Sequence, residues 1–347
     1  MSPGKFLGVD YLTPHELTMT RDSGWVDVLG IAVFTTGEGL SDTGKVPTAL
    51  VKARPLSRQP SVCEVWRATG PFRTGASGIV QYRTNDHLAF GCITIQESSS
   101  EGTLKCGVDL RSATARAYTE IFGCLAQIGF PHLLRIWNYL PDINQQTVGL
   151  ERYRQFNEGR QKTFQTFSRI VKGHVPAACA LGAESAAPLV VYFVASSAAS
   201  VAIENPRQVA AYDYPPKYGD FSPVFSRATL LHTDSNAVLF VSGTSSIVGH
   251  HTVHIGDVVG QTHETVRNIQ AVIEAANQAV DDELFMPEKI RYKVYLRRPE
   301  DRDRIADELA VLLNPEFPVV YLKADICRND LLVEIEAFGV TTSPGAH

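Results

Sequence analysis

The sequence predicts an α+β protein of two tandem lobes, each a mixed β-sheet covered by helices. Three observations predict it. A segment recurs within the chain at a nearly constant offset, each copy carries a stripe of apolar residues at helical steps, and short β-branched and aromatic runs flank each stripe. With 347 residues and roughly 150 residues per domain, two or three cores are expected. The lobes are assigned to residues 1–205 and 206–347, with the Pro- and Tyr-rich stretch 213–220 as the link into the second.

The stripes define the helices. Tyr118, Ile121, Leu125 and Ile128 match Val266, Ile269, Ile273 and Ala276, each 148 residues later. Steps of three and four put each set on one helical face, so each copy holds an amphipathic helix lying on a sheet. Before each helix comes a hairpin-like pair of strands, over 78–82 and 87–95 in the first copy and over 227–231 and 237–244 in the second. After each helix comes a strand with large side chains, 134–140 and 290–296. A strand opened by Pro176 or Pro318 follows, and then a final β-rich strand near Val191 or Val333, at an offset of 142.

Composition excludes several classes. With 44% hydrophobic and 20% charged residues, the chain has too much apolar and too little charged character to stay disordered. Lys plus Arg total 32 against 37 Asp plus Glu, a net charge of −5, without the basic excess that nucleic acid demands. No apolar run approaches the roughly 18 residues of a membrane span, and the N-terminus lacks a signal-peptide pattern. A cytoplasmic protein is expected.

Six cysteines, Cys63, Cys92, Cys106, Cys124, Cys179 and Cys327, form no CxxC pair, and a chain of this size needs no disulfide staples. Most are expected to be buried structural thiols. Cys327 differs because it sits in a polar turn just before a strand. His250, His251 and His254 suggest a metal, but Val253 and Ile255 interleave and no carboxylate or thiol stands at ligand spacing before Asp257. A solvated strand end is expected there, and no metal site.

What both copies share is architectural, so their differences point to chemistry. At the last strand the first copy carries Tyr192 where the second carries Glu334. Alternation puts Glu334 and Glu336 on one side and Val333 and Ile335 on the other. The two glutamates either face solvent, or one lines a pocket and transfers a proton. Cys327, seven residues before Glu334, can be turned toward the same cavity. Gly243, in the small-residue run 241–246, allows close approach of a ligand to the backbone. Arg160 and Arg227 offer planar forks of donors, and two in one pocket would suit a dicarboxylate. Tyr212, Tyr218 and Arg297 are further candidate pocket residues.

The second lobe, over about 222–340, resembles the YjgF/RidA family, whose fold is chorismate-mutase-like. The matching pieces are LFVSG at 239–243, GQTH at 260–263, Asn268 with Ile269, KVYL at 293–296 and VEIEA at 333–337. The resemblance implies that Glu334 belongs to the active site. The imine-hydrolysing members carry an arginine one or two residues after the proline of the preceding strand. Here Pro318 is followed by Val319 and Val320, and the first copy has Ala177 and Ala178.

Nearly the whole chain is similar to the chorismatases, two-lobed relatives of that fold. The resemblance rests on RIWNYLP at 135–141, YRQFNEGR at 153–160 and PVFSRA at 223–228, besides the C-terminal segment. It implies release of pyruvate from chorismate, a dicarboxylate, with no metal or organic cofactor. The family's hydroxybenzoate formers have cysteine at the position of Cys327, where its hydrolases have a small residue without a thiol. The expected product is therefore 3-hydroxybenzoate, alone or with 4-hydroxybenzoate. The alternatives are a dihydroxycyclohexadiene carboxylate, hydrolysis of imines, or non-catalytic binding of a small ligand. A monomer and a homotrimer are both compatible with the resemblance. In the expected mechanism Glu334, protonated because it is buried without a nearby cation, protonates the enol-ether methylene. Cys327 then assists ring opening or proton relocation.

Overall fold

Alternating and helical patterns become three sheets, each with one face against a helix and the other turned toward its neighbours. The computed structural model describes residues 6–22, 24–37, 43–97, 109–169, 174–280 and 284–342; Cys106 lies outside them. The chain opens with β1 (Gly8–Leu12), α1 (Pro14–Asp22), β2 (Val28–Thr35), β3 (Thr48–Val51) and β4 (Ser61–Arg67). These strands form a four-stranded sheet in the order β1-β4-β2-β3.

The first repeat follows as β5 (Arg73–Ser77), β6 (Val80–Thr84), β7 (Leu88–Ile95), α2 (Leu110–Ile128), β8 (His132–Pro141), a short ribbon of β9 (Gln146–Thr147) and β10 (Leu150–Glu151), α3 (Arg152–Thr166), β11 (Ala177–Ala183) and β12 (Leu189–Ser196). The second comprises β13 (Val201–Ile203), β14 (Ala228–His232), β15 (Asn236–Thr244), a ribbon of β16 (Ile247–Val248) and β17 (His251–Thr252), α4 (Val258–Val280), β18 (Arg291–Leu296), α5 (Arg302–Leu313), β19 (Val320–Lys323) and β20 (Val333–Thr342).

The two large sheets run β11-β8-β12-β7-β6-β5 and β19-β18-β20-β15-β14-β13. Strand for strand the order is the same. In each, one parallel pair (β8 with β11, β18 with β19) sits beside otherwise antiparallel neighbours. The stripes do what their spacing predicts: Tyr118, Ile121 and Leu125 of α2, and Val266, Ile269, Ile273 and Ala276 of α4, are buried against their sheets. Asp109 closes the first turn of α2 by accepting from the Ser112 N–H, and Gly129 ends the helix at φ 79°, where a β-carbon would be strained.

Three features depart from the sequence expectation. The first 68 residues contribute a separate sheet rather than part of the first repeat. Val201–Ile203 pairs with β14 and so enters the second sheet ahead of residue 206. Helices α3 and α5 fill the crossovers between parallel strands, as such connections require, although neither was expected. The bare faces of all three sheets meet in one core that is rich in aromatic side chains. Trp66 of β4 touches Trp137 of β8, Phe240 of β15 and Phe338 of β20, with ring centroids 5.1–5.8 Å apart. Among the described residues no helix is long and apolar enough to cross a membrane.

Ile269 sits fully buried at the centre of the α4 face. Its replacement by Ala should cost about 2–5 kcal/mol, read as a lower midpoint in urea unfolding.

Candidate active site

A cavity of about 560 Å³ opens between α3 and the end of the second sheet, within the range of roughly 300–1,000 Å³ usual for small-molecule sites. A smaller cavity adjoins it, and the two share Tyr153, Phe225, Gly243, Cys327 and Glu334.

Glu334 lies at the floor, near the start of β20. Val333 and Ile335 enter the core beneath α4, so strict alternation turns Glu334 and Glu336 to the opposite face. Both are buried, Glu334 at 4% exposure, which rules out the solvent-facing alternative. Across the sheet the β15–β20 ladder is irregular: Val241 faces Ala337 but Thr244 faces Ile335, so Ser242 and Gly243 bulge opposite Glu336. The bulge brings the Gly243 backbone against Glu334, where a β-carbon would overlap the carboxyl group. Glycine is required by that contact.

Burial pushes the Glu334 carboxyl up to about 8, and the neighbouring Glu336 adds to this, while Arg135 and a hydrogen bond with Ser245 oppose it. A buried cation is therefore close by, contrary to the expectation from sequence. Its charge is engaged elsewhere. Arg135 pairs with Glu336, which also accepts from Trp137 Nε1 at 3.0 Å and lies 2.7 Å from Lys293 Nζ. Lys293 in turn pairs with Glu64 of β4, which accepts from Trp66 Nε1 at 2.8 Å and from the Tyr192 hydroxyl at 3.0 Å. Burial opposes ionisation of Glu336, but Lys293 and Arg135 hold its carboxyl below the ordinary range. Two glutamates two residues apart thus hold their protons very differently.

Cys327 reaches the cavity from the turn before β20, as expected. Burial and then the proximity of Glu334 push its thiol up to about 12, so it remains an S–H group. Cys63, Cys92, Cys124 and Cys179 are buried free thiols.

Arg160 and Arg227 supply the cations. Arg160, on α3, is 1% exposed and lines the smaller cavity. It donates to Asn157 Oδ1 and stands over the Phe156 ring, while its buried Nε finds no partner. Arg227 lines the larger cavity, donates to the Val209 carbonyl and the Tyr214 hydroxyl, and also keeps an unpartnered Nε. Among the described residues neither forms an ion pair with a carboxylate. Glu204 interacts with Arg227 beyond ion-pair distance; buried guanidinium groups without a direct ion pair are costly, and the adjoining cavities are where an anion would meet them.

Tyr218 lines the cavity mouth, donating to the His250 carbonyl at 2.5 Å. Tyr212 and Arg297 do not line it. Tyr212 sits in a 3₁₀ turn (Ala211–Asp213) beside Glu204. Arg297 follows β18, and its donors are consumed by the carbonyls of Leu331, Ile326 and Arg328 and by the side chains of Asn144 and Asp325. It clamps the turn that carries Cys327. Arg328 and Tyr214 are among the wall residues that the sequence reading did not single out. Arg328 stands over the rings of Tyr214 (5.4 Å) and Tyr218 (4.3 Å), so the stretch read as a link builds the mouth. Their signal was present in adjacency alone, an arginine after Cys327 and two tyrosines among prolines. His250 and His251 are occupied with Tyr218 and Lys217, and among the described residues no three His, Cys, Asp or Glu side chains are grouped to hold a metal.

Because Arg297 satisfies several carbonyls at once, Arg297→Met should lower stability by about 2 kcal/mol or more, measured by thermal unfolding.

Residues 64–195 match the family model described as chorismatase FkbO/Hyg5-like, N-terminal. A Streptomyces rapamycinicus protein named chorismatase is 37% identical over 318 residues, covering 89% of this chain and 91% of its own. A Streptomyces hygroscopicus chorismatase is 35% identical over 305 residues, covering 85% and 86%. Another protein of that organism, named 3-hydroxybenzoate synthase, is 38% identical over 232 residues, covering 65% and 68%. The crystal structure of a chorismatase at 1.08 Å resolution matches with a TM-score of 0.86 and 32% identity, covering 97% of this chain and 99% of that one. Sequence and fold agree over nearly the full length, and the chain belongs to the chorismatase family.

Proposed function

We propose that this enzyme converts chorismate to a hydroxybenzoate, 3-hydroxybenzoate alone or with 4-hydroxybenzoate, and pyruvate, with Glu334 as the proton donor. The observation that carries the reading is a buried carboxyl with raised proton affinity that shares one cavity with a neutral thiol and borders two arginines that form no ion pair among the described residues. Chorismate has two carboxylates for the two arginines and an enol ether for the acid. Kinship with a protein named 3-hydroxybenzoate synthase supports the aromatic product.

In the proposed sequence Glu334 delivers its proton to the enolpyruvyl methylene, forming a C–H bond and an oxocarbenium ion. The neighbouring ring hydroxyl oxygen attacks the ring carbon that bears the ether. That C–O bond breaks, and its electron pair becomes the pyruvate carbonyl oxygen's. The hydroxyl proton returns to Glu334, so the acid is regenerated. Opening of the resulting ring epoxide, with loss of a ring proton, gives the phenol. The Cys327 S–H, held over the same floor, assists this opening or the proton relocation. Chorismate equals hydroxybenzoate plus pyruvate atom for atom, so neither water nor an oxidant is consumed. Arg160 and Arg227 bind the carboxylates, and the Tyr153 and Phe225 rings flank the substrate.

Glu334→Gln should abolish pyruvate release while chorismate still binds by calorimetry; normal turnover in that variant would overturn the assignment. The reactive form is the protonated one, so turnover should be flat at acid pH and fall as pH rises through about 8. Cys327→Ala should shift products, separated by chromatography, from the phenol toward the non-aromatic diene. An unchanged profile would remove Cys327 from the mechanism.

A further inference from the structure

Behind Glu334, where the three sheets meet, lie two acids and two bases from three different sheets. Glu64 comes from β4, Arg135 from β8, and Lys293 and Glu336 from β18 and β20. All four are at most 6% exposed. Charge in so dry a place has few ways to be compensated except by its immediate neighbours.

We propose that this cluster positions the reactive proton: its two bases are already matched by its two acids, so neither of them is free to hold Glu334 as a carboxylate. Glu334 lies two residues along the same face of β20 and stays the proton-bearing member of the glutamate pair. The inference rests on Glu334 as proton donor and adds that Glu336, Arg135, Lys293 and Glu64 are positioning residues acting through it.

The groups facing Glu334 support this from every side. Its cross-strand neighbour on β18 is Tyr295. Tyr153 and Arg160 of α3 and Cys179 of β11 line the smaller cavity with it, and Cys327 closes that cavity from the turn. The Ser245 hydroxyl, just past β15, lies beside it and donates to the Val333 carbonyl at 3.0 Å. Apart from Arg160, Arg227 and Arg328, which line the two cavities with it, and Arg135, already paired, none of these groups is a cation. Neutral donors add to the ion pairs: Trp66 and the Tyr192 hydroxyl donate to Glu64, and Trp137 donates to Glu336. These bonds hold the Glu336 carboxylate away from sharing a proton with Glu334.

The test is the alkaline limb of the pH–turnover profile, beside the protonated-carboxyl infrared band of Glu334 in the ligand-free full chain, assigned by its loss in Glu334→Gln. Glu336→Gln leaves an excess base and should move both readouts acidward by roughly one pH unit or more. Arg135→Gln leaves an excess acid and should move them alkaline. A role in packing alone would not give opposite signs. Arg135→Lys retains the charge count and should leave the limb in place. Where the single variants do not fold, the double variant Glu336→Gln/Arg135→Gln, still one acid per base, carries the test with a limb near that of the unaltered enzyme. Shifts of the same sign, no shift in folded single variants, or a displaced limb in the double variant would overturn the proposal. If the infrared band moves as expected but Glu334→Gln still releases pyruvate, the cluster stands and the proton-donor reading falls.

Discussion

The chain of ion pairs from Glu64 through Lys293 and Glu336 to Arg135 is the constraint on which the architecture depends. Its members lie 101 to 229 residues from the partners they bind across sheets, counting Tyr192, and none reaches solvent. Each sheet alone would strand a charge in an apolar face, which is strongly unfavourable. Docked together, the sheets satisfy one another. Removing a single partner from a buried pair typically costs about 3–5 kcal/mol, so the relative placement of the sheets is sharply defined. The aromatic side chains around the cluster, with Trp137 stacked on Tyr192 at 4.5 Å, supply the apolar burial that favours docking.

That placement decides where the site forms. The second sheet brings the acid and its bulged neighbour Gly243. The first repeat brings α3, with Arg160 and Tyr153, and the segment between the repeats brings Tyr214, Tyr218 and Arg227. No single lobe contains the pocket. Duplication left two equivalent strands, β12 and β20, at comparable places in their sheets. On β12 the position aligned with Glu334 is Tyr192, whose hydroxyl serves Glu64. One copy contributes a hydroxyl to the buried cluster; the other lines the cavity with a carboxyl group.

Electrostatic contrast across one sheet face then separates structure from chemistry. Glu336 is surrounded by donors and ionised, whereas Glu334 meets the backbone of Gly243, Ser245, two cysteine thiols and aromatic walls. The same burial that raises Glu334 also keeps the Cys327 thiol neutral, so the floor carries two proton-bearing groups and no strong nucleophile. This suits a reaction in which protons are moved and the displacing oxygen belongs to the substrate.

Much of this was legible in order along the chain. The 3.6-residue period exposed α2 and α4, alternation placed Glu334 opposite Val333 and Ile335, and a comparison of the copies singled out Glu334 against Tyr192. Helix α3 was hidden because its buried face is polar, carrying Arg152, Gln155, Asn157 and Arg160, and apolar periodicity cannot report a polar interior. The first sheet was hidden because β2 is buried on both faces and so does not alternate. By itself the sequence determined the repeat and the strand faces, with Glu334 and Glu336 on one side, because these follow from periodicity along the chain. Only the tertiary structure decided which cations lack an ion pair, that Arg297 clamps a turn outside the cavity wall, and that Arg135 is already taken. Those outcomes depend on groups hundreds of residues apart competing for the same few hydrogen bonds in a space without water.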